Sequence, residues 1–372
     1  MKIRNEITKI LDDFIFMRRA FHKIPEIGFE TFQTMGLVEK MIGKEADEKD
    51  AFSGVFYLKG SEDHCIAFRS ELDGLPILEK NTHDFVSTNG CMHACGHDAH
   101  MAILIATYHY FVMFPSKISL LFIFQPAEES GNGANYIIEK NIFEKYHVKA
   151  LFATHLMPFL GDVIGSKKGW MMAESCEINI TIQGKAAHCG HPEKGVDACK
   201  AMTFFLHDVY ELEKEILPHR IHFGKVNSGE IRNGMSAFSY LEGTLRCFDS
   251  YILKILKEEL KEKLNQLDKK MNTISQITFS LGYQGVINDE TLVDLVENCA
   301  EDSYREVDAM MLSEDFSSYQ RVCATCLMLC GLTSEIDLHD PCFDFDESEC
   351  LKAIEMNVRL VEKLCEIMVS VK

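Results

Sequence analysis

The sequence predicts an α/β protein of two domains, one built on a mainly parallel sheet flanked by helices and the other an inserted α+β unit. Three observations predict it. At 372 residues the chain is too long for one ordinary single-core domain. Residues 1 to about 172 alternate helical patterns with apolar strands, the signature of a parallel sheet with helices on its faces. Near Gly169-Trp170 this pattern gives way to strands of alternating burial and two amphipathic helices, and from about residue 285 the helical patterns return.

In order, the first region holds strands at Val55–Lys59, Cys65–Ser70, Ile118–Phe124 and Ala150–His155, each rich in β-branched and aromatic residues. The inserted region, 173–284, reads as a strand at Cys176–Ile182, a helix over Val196–Leu217 and strands at His219–Ser228 and Phe238–Phe248. A charged amphipathic helix at Tyr251–Met271 and a strand at Ile274–Leu281 complete it. That β-α-β-β-α-β order is ferredoxin-like. Segments 1–172 and 285–372 together are expected to form the other domain, with functional groups gathered at the carboxyl ends of its strands.

Composition narrows the function classes. Lys+Arg 38 against Asp+Glu 57 leaves a formal charge of -19, and no basic run tracks a phosphate backbone, so nucleic acid is excluded as a partner. No apolar run reaches membrane-spanning length without a charge. The 14 cysteines are scattered through apolar patterns rather than spaced as a disulfide framework. The first residues lack the apolar core and small-residue cleavage site of a signal peptide. A cytoplasmic protein is the expectation.

The chemistry is concentrated in Cys91–His100, CMHACGHDAH, where Cys95-Gly96-His97 sets a thiolate and an imidazole on either side of a glycine. Those groups suit a borderline-soft divalent metal, although a lone C-x-H is more often a buried cysteine beside a structural histidine. Further donors follow: Glu128-Glu129 after the strand ISLLFIF, His155 near the end of ALFATHLMP, and His339 in a Leu-His-Asp-Pro turn. Adjacent carboxylates repel unless a cation or a proton separates their roles. Each histidine alone would more often be structural, but the joint set points to a two-metal site.

These residues carry a family resemblance running nearly end to end. RRAFHKIPEIGFETFQT, FRSELDGLPI, MHACGHDAHMA, FIFQPAEES, GKAAHCGHPEKGVDA, LEGTLRCFD, SEDF and LHDP occur in that order. The chain resembles metal-dependent amidohydrolases of the aminoacylase and carboxypeptidase superfamily. It falls in the branch holding hippurate hydrolases, indole-acetyl-amino-acid hydrolases and bacterial N-acetyldiaminopimelate deacetylases, and its opening and SEDF segments look most like the last. The resemblance implies a zinc-peptidase-like catalytic domain with an inserted lid or dimerisation domain, and it allows a homodimer through that lid.

The resemblance assigns Cys95, His97, Glu129, His155 and His339 as ligands of two divalent ions (Zn, Mn, Co or Ni) and leaves Glu128 as general base and later general acid. Glu71 and Asp73, two apart at a strand end, project to one face, and Asp73 is favoured as the carboxylate that orients a metal-bound histidine. His93, Asp98 and His100 are read as supporting or structural. On the lid, His188 is the candidate oxyanion donor. Asn233 and Arg246 match positions that hold a substrate carboxylate, with a turn Asn and a strand-surface Arg as the alternatives. The segment Asn233-Gly234-Met235-Ser236 departs from the family pattern there.

The expected reaction is removal of an acyl group, foremost acetyl, from a small N-acyl amino acid, with N-acetyl-L,L-diaminopimelate first among substrates. A broader N-acyl-amino-acid or hippurate hydrolase, or a peptidase, is the runner-up; a metal-stabilised binding protein is the alternative outside enzymes. For the distal ammonium of diaminopimelate the acidic candidates are Glu314 and Asp315 of SEDF, a segment that could equally pack beside the metal site.

Overall fold

The computed structural model describes residues 1–62, 64–130, 132–212 and 219–370, so residues 213–217 of the expected helix lie outside the described residues. The chain divides into two compact units: Met1–Met171 with Ile287–Asp308 and Asp315–Lys372, and Met172–Val286 with Ala309–Glu314. The first unit supplies β1 (Glu48–Lys49), β2 (Gly54–Leu58), β3 (Cys65–Glu71), β4 (Ser119–Gln125), β5 (Val148–Met157), β6 (Ile164–Ser166) and β7 (Gly169–Trp170). The second supplies β8 (Glu174–Gln183), β9 (His219–Ser228), β10 (Phe238–Cys247) and β11 (Ile274–Phe279). The chain then returns with β12 (Ile287–Asn288), β13 (Tyr304–Glu306) and β14 (Ala324–Gly331).

In the first unit an eight-stranded sheet runs β1-β2-β4-β3-β5-β14-β6-β13. Neighbours from β4 through β3 and β5 to β14 are parallel, as are β6 and β13; the pairs β1–β2, β2–β4 and β14–β6 are antiparallel. Strands β3 and β4 are buried along their whole length, which is why they read as continuous apolar runs rather than alternating ones. The helix His97–Met113 is buried on nearly every side, again as its uninterrupted apolar sequence requires. No helix among the described residues is long and apolar enough to cross a membrane.

The second unit is a four-stranded antiparallel sheet of order β11-β8-β10-β9, with the helices Ala198–Leu212 and Ser250–Met271 completing β-α-β-β-α-β. Asp249 caps the second helix, its carboxylate accepting the N–H groups of Tyr251 at 2.7 Å and Ile252 at 3.3 Å. Leu253, Leu256, Leu260, Leu264 and Leu267 recur at helical spacing and share a core with Ile178, Ile180 and Ile182 of β8, which alternate at strand spacing. Burying each such side chain contributes about 1.5–3 kcal/mol. The two periodicities therefore meet on one face of the sheet.

Candidate metal centre

Because β3, β4 and β5 are parallel neighbours, their carboxyl ends open on one edge of the sheet. Asp73 follows β3, Glu128 and Glu129 follow β4, and His155 lies near the end of β5. Cys95 and His97 come from the turn that starts the helix His97–Met113, where Gly96 at φ 84° takes the left-handed conformation that a side chain resists. His339 arrives from the far end of the sequence, its N–H donating to the Ala94 carbonyl at 2.9 Å. Ala127 at φ 53° and His339 at φ 64° are themselves left-handed non-glycine residues, a conformation of order 1–3 kcal/mol above the ordinary ones. The site is thus held by surrounding structure rather than by local preference.

The donor atoms converge. Cys95 Sγ lies 3.4 Å from His155 Nε2, and Glu129 Oε1 lies 3.5 Å from His339 Nε2 and 3.9 Å from His97 Nε2. Tetrahedral zinc with bonds of about 2.0–2.3 Å separates its ligands by about 3.3–3.6 Å, so two of these three spacings need almost no adjustment. Three overlapping sets, Cys95–His97–His155, Cys95–Glu129–His339 and His97–Glu128–Glu129, each gather ligand atoms within 4.8 Å. His97 Nδ1–H donates to the Asp73 main-chain oxygen and His155 Nδ1–H to the Leu156 carbonyl, both at 2.7 Å, which assigns the lone pair to Nε2 of each ring, in His155 facing Cys95 Sγ at 3.4 Å. His97 Nε2 is buried with no hydrogen-bond partner among the described residues. An orphaned imidazole nitrogen beside a thiol and two carboxylates is a donor set that fits a divalent cation.

Electrostatics points the same way. Burial, reinforced by the Glu129 charge, pushes the Cys95 thiol and the Asp73 carboxyl well above their usual ranges. A pocket that resists further negative charge this strongly is one that a cation relieves.

The supporting groups differ in part from the sequence expectation. The carboxylate of Asp73 does not orient a ligand histidine; its Oδ1 is 3.9 Å from His97 Nδ1, whose proton goes to the main-chain oxygen instead. That carboxylate instead accepts the N–H groups of Glu128 and Glu129, each at 3.1 Å, and so aims the two acidic side chains. Glu71 is the carboxylate that holds an imidazole: its Oε2 accepts from His100 Nδ1 at 2.8 Å while His100 Nε2 accepts the Leu156 N–H at 2.9 Å. Both His100 nitrogens are consumed, which makes it a strut between strands. Burial alone would raise the Glu71 carboxyl, but Arg69 and His100 outweigh it and hold it well below the usual range.

A buried ionic network that sequence reasoning missed lies behind these loops. Arg69 pairs with Glu71 and, at 2.8 Å, with Asp315; its Nε donates to Gln125 Oε1 at 2.8 Å. Asp315 also accepts from Gln125 Nε2 at 2.9 Å and from the Ala134 N–H at 2.8 Å. Asp315 is fully buried and therefore packs the site instead of meeting a substrate ammonium; Glu314 is also buried, in the second unit. The signal in the sequence was an arginine, Arg69, inside the otherwise apolar strand CIAFRSE. Asp98, next to a ligand in the chain, points away to Arg18 at 2.8 Å and to His22 at 2.7 Å.

In the second unit His188 and Asn233 line one cavity of about 630 Å³, together with Ser236, Phe238 and Tyr240. Cys189 N–H donates to the Asn233 carbonyl at 3.0 Å and Met235 N–H to the Ala187 carbonyl at 2.8 Å, so the departing segment Asn233–Ser236 is tied to the His188 loop. Arg246 lies elsewhere, on β10, half-buried and paired with no carboxylate among the described residues; burial lowers its pKa.

Comparison with known proteins agrees with this reading of the first unit. The model of peptidase family M20/M25/M40 matches residues 67–363. An N-acetyldiaminopimelate deacetylase of Oceanobacillus iheyensis is 30% identical over 340 residues, covering 87% of this chain and 92% of that protein. An uncharacterised hydrolase of Staphylococcus epidermidis is 30% identical over 375 residues, covering 94% and 97%. Among solved structures, a Bacillus subtilis protein described as a dinuclear metal-binding peptidase of the M20 family superposes with a TM-score of 0.83 at 26% identity, covering 96% of this chain and 99% of that one. With the family model matching most of its length, the chain belongs to peptidase family M20/M25/M40.

Proposed function

We propose that this protein is a two-metal amidohydrolase that removes the acetyl group from N-acetyl-L,L-diaminopimelate, releasing diaminopimelate and acetate. The observation that carries the reading is Glu128, a carboxylate beside the ligand set and held by Asp73, where a pure metal scaffold has no use for one. In this assignment Cys95, His97, Glu129, His155 and His339 hold the ions. When bound, these supply Lewis acidity toward water and the scissile carbonyl.

Glu128 takes the proton from the attacking water and passes it to the departing amine, which leaves as a free amino group while acetate keeps the new C–O bond. Asp73 fixes the approach of Glu128 through its main-chain N–H. His188 of the second unit donates to the developing oxyanion and Asn233 holds the substrate carboxylate, roles that rest on the family resemblance. Arg246, which the resemblance pairs with Asn233, lies at the other end of β10 from that cavity, so the two do not meet one carboxylate within a single unit. All 14 cysteines are free, which accords with the reducing cytoplasm where lysine and diaminopimelate biosynthesis would place the enzyme. A homodimer through the second unit is part of the same proposal.

The substrate is supported by relatives at about 30% identity named N-acetyldiaminopimelate deacetylase. It is tested by measuring kcat/KM for N-acetyldiaminopimelate, N-acetylmethionine and hippurate on one preparation, with and without chelator. The expected order puts N-acetyldiaminopimelate first and abolishes all three with chelator. Hippurate ahead by more than tenfold, about 1.4 kcal/mol, would overturn the deacetylase assignment and leave the amidohydrolase chemistry standing.

A further inference from the structure

The first unit holds a second convergence of metal-ligand atoms that the amidohydrolase reading does not use. Glu79 Oε1 lies 3.1 Å from His22 Nε2 and 3.3 Å from His83 Nε2, and the three ligand atoms fall within 4.8 Å of one another. Both spacings match the ligand-to-ligand edge of about 3.3 Å that tetrahedral zinc with bonds of about 2.0–2.1 Å demands. The imidazole of His83 is stacked on Phe85 at 3.6 Å and 8°, which fixes its plane, yet neither of its nitrogens has a hydrogen-bond partner among the described residues. The approach of His83 Nε2 to Glu79 is therefore a spacing without a hydrogen bond, the same orphaned imidazole that marks His97.

The supporting contacts are those of a metal site. His22 Nδ1 is held by the Asp98 carboxylate at 2.7 Å, the carboxylate–histidine arrangement that stands behind most ligating imidazoles, and its Nε2 hydrogen-bonds Glu79 Oε1 at 3.1 Å, a contact that an ion would replace. Glu79 is held in turn by the Ser87 N–H at 2.7 Å and the Asn81 amide at 3.1 Å. Arg18 is occupied by Asp98, Asp344 and Glu347, so its charge is neutralised locally. The His22 and Glu79 side chains are essentially buried and His83 is 17% exposed, with both of its ring nitrogens turned inward.

We propose that His22, Glu79 and His83 form an additional divalent-cation site of the zinc class, separate from the cluster around Cys95. Two histidines and one glutamate are a recognised zinc donor set with an open fourth position. The ion would tie the end of the helix Leu11–His22 to the 79–85 loop.

The test uses the metal-loaded protein. Wild type and His83→Leu are equilibrated with excess zinc and freed of unbound ion, and zinc per chain is measured by plasma mass spectrometry. A competition titration with a chromophoric zinc chelator accompanies it. His83→Leu keeps the stack on Phe85 apolar and touches none of the residues assigned to hydrolysis, and His83→Gln serves as a second variant should the leucine protein fail to fold. Wild type should carry one equivalent more than either variant, with the remaining equivalents and amide hydrolysis unchanged. Equal zinc content in wild type and variant overturns the site, as does a variant that loses the other equivalents in parallel. The readout is zinc and not turnover, so it stands apart from the substrate assignment.

Discussion

The two histidine clusters of the first unit are alike in donor types and differ in charge. Around Cys95 the surplus is negative: Glu129, Glu128 and Glu71 act on the thiol and Glu129 on Asp73, and burial amplifies the repulsion. Around His22 a cation is already present, because Arg18 sits against Asp98, and with Asp98 and Glu79 outweighing burial His22 is pushed up to about 9. An ion must displace a proton at either cluster, from His22 at the second and from the Cys95 thiol at the first, but only at the first does it also relieve an acidic surplus. The comparison teaches that geometry alone does not rank two metal sites; the charge already in place does.

The sharpest way to break that comparison is to remove Glu128, the carboxylate proposed as general base. Glu128→Gln should keep metal content near wild type and lower kcat by roughly 10²–10⁴-fold, the usual contribution of a general acid-base group. A variant with near wild-type kcat would remove Glu128 as the general acid-base group.

Next in size is the buried network of Arg69 behind the first cluster. Asp315→Ala leaves Arg69 buried with one partner fewer and should cost about 3–5 kcal/mol of unfolding free energy in a denaturant titration. A loss below about 1 kcal/mol would show that Glu71 alone satisfies Arg69.

The smallest effect concerns the loop that aims Glu128. A Cβ at Gly133 would stand 1.6 Å from the Pro126 carbonyl oxygen, so Gly133→Ala must displace the turn carrying Ala127. Overpacking of this kind costs about 1–3 kcal/mol. The expected signature is a lowered Tm together with a lowered kcat, and a fall in Tm with kcat intact would detach this turn from the chemistry.

The second unit was almost wholly legible because its information is periodic. Leucines at helical spacing and isoleucines at strand spacing specify the same buried face, and His219–Ser228 was expected at the bounds it has. Four strands of the first unit, β2 to β5, were legible for the same reason, to within a few residues at each end, whereas β1, β6, β7 and β12 to β14 were not expected. The donor residues were legible as types, since thiol, imidazole and paired carboxylates are rare together. What could not be read was orientation. Whether Asp73 meets a histidine with its carboxylate or its backbone depends on left-handed residues such as Ala127, and no alanine announces that conformation. The partners of Arg69 and His22 come from segments far away in sequence, 315 and 98 among them, and no local pattern encodes such pairings.

The position of β14 has a consequence for how the molecule comes to exist. Residues 324–331 occupy the slot between β5 and β6, strands that are separated in the chain by only a short connection. During synthesis the N-terminal part of the sheet emerges first and must wait with the inner edge of β5 unpaired, an open template for mispairing with another chain. Closing that slot also delivers the stretch that brings His339 to Ala94. The final step of sheet assembly and the birth of hydrolytic competence are therefore one long-range event, expected to be slow because its contacts are so distant in sequence. A ribosome-bound or prematurely terminated chain would be exposed to aggregation at the very stage when it is still catalytically silent.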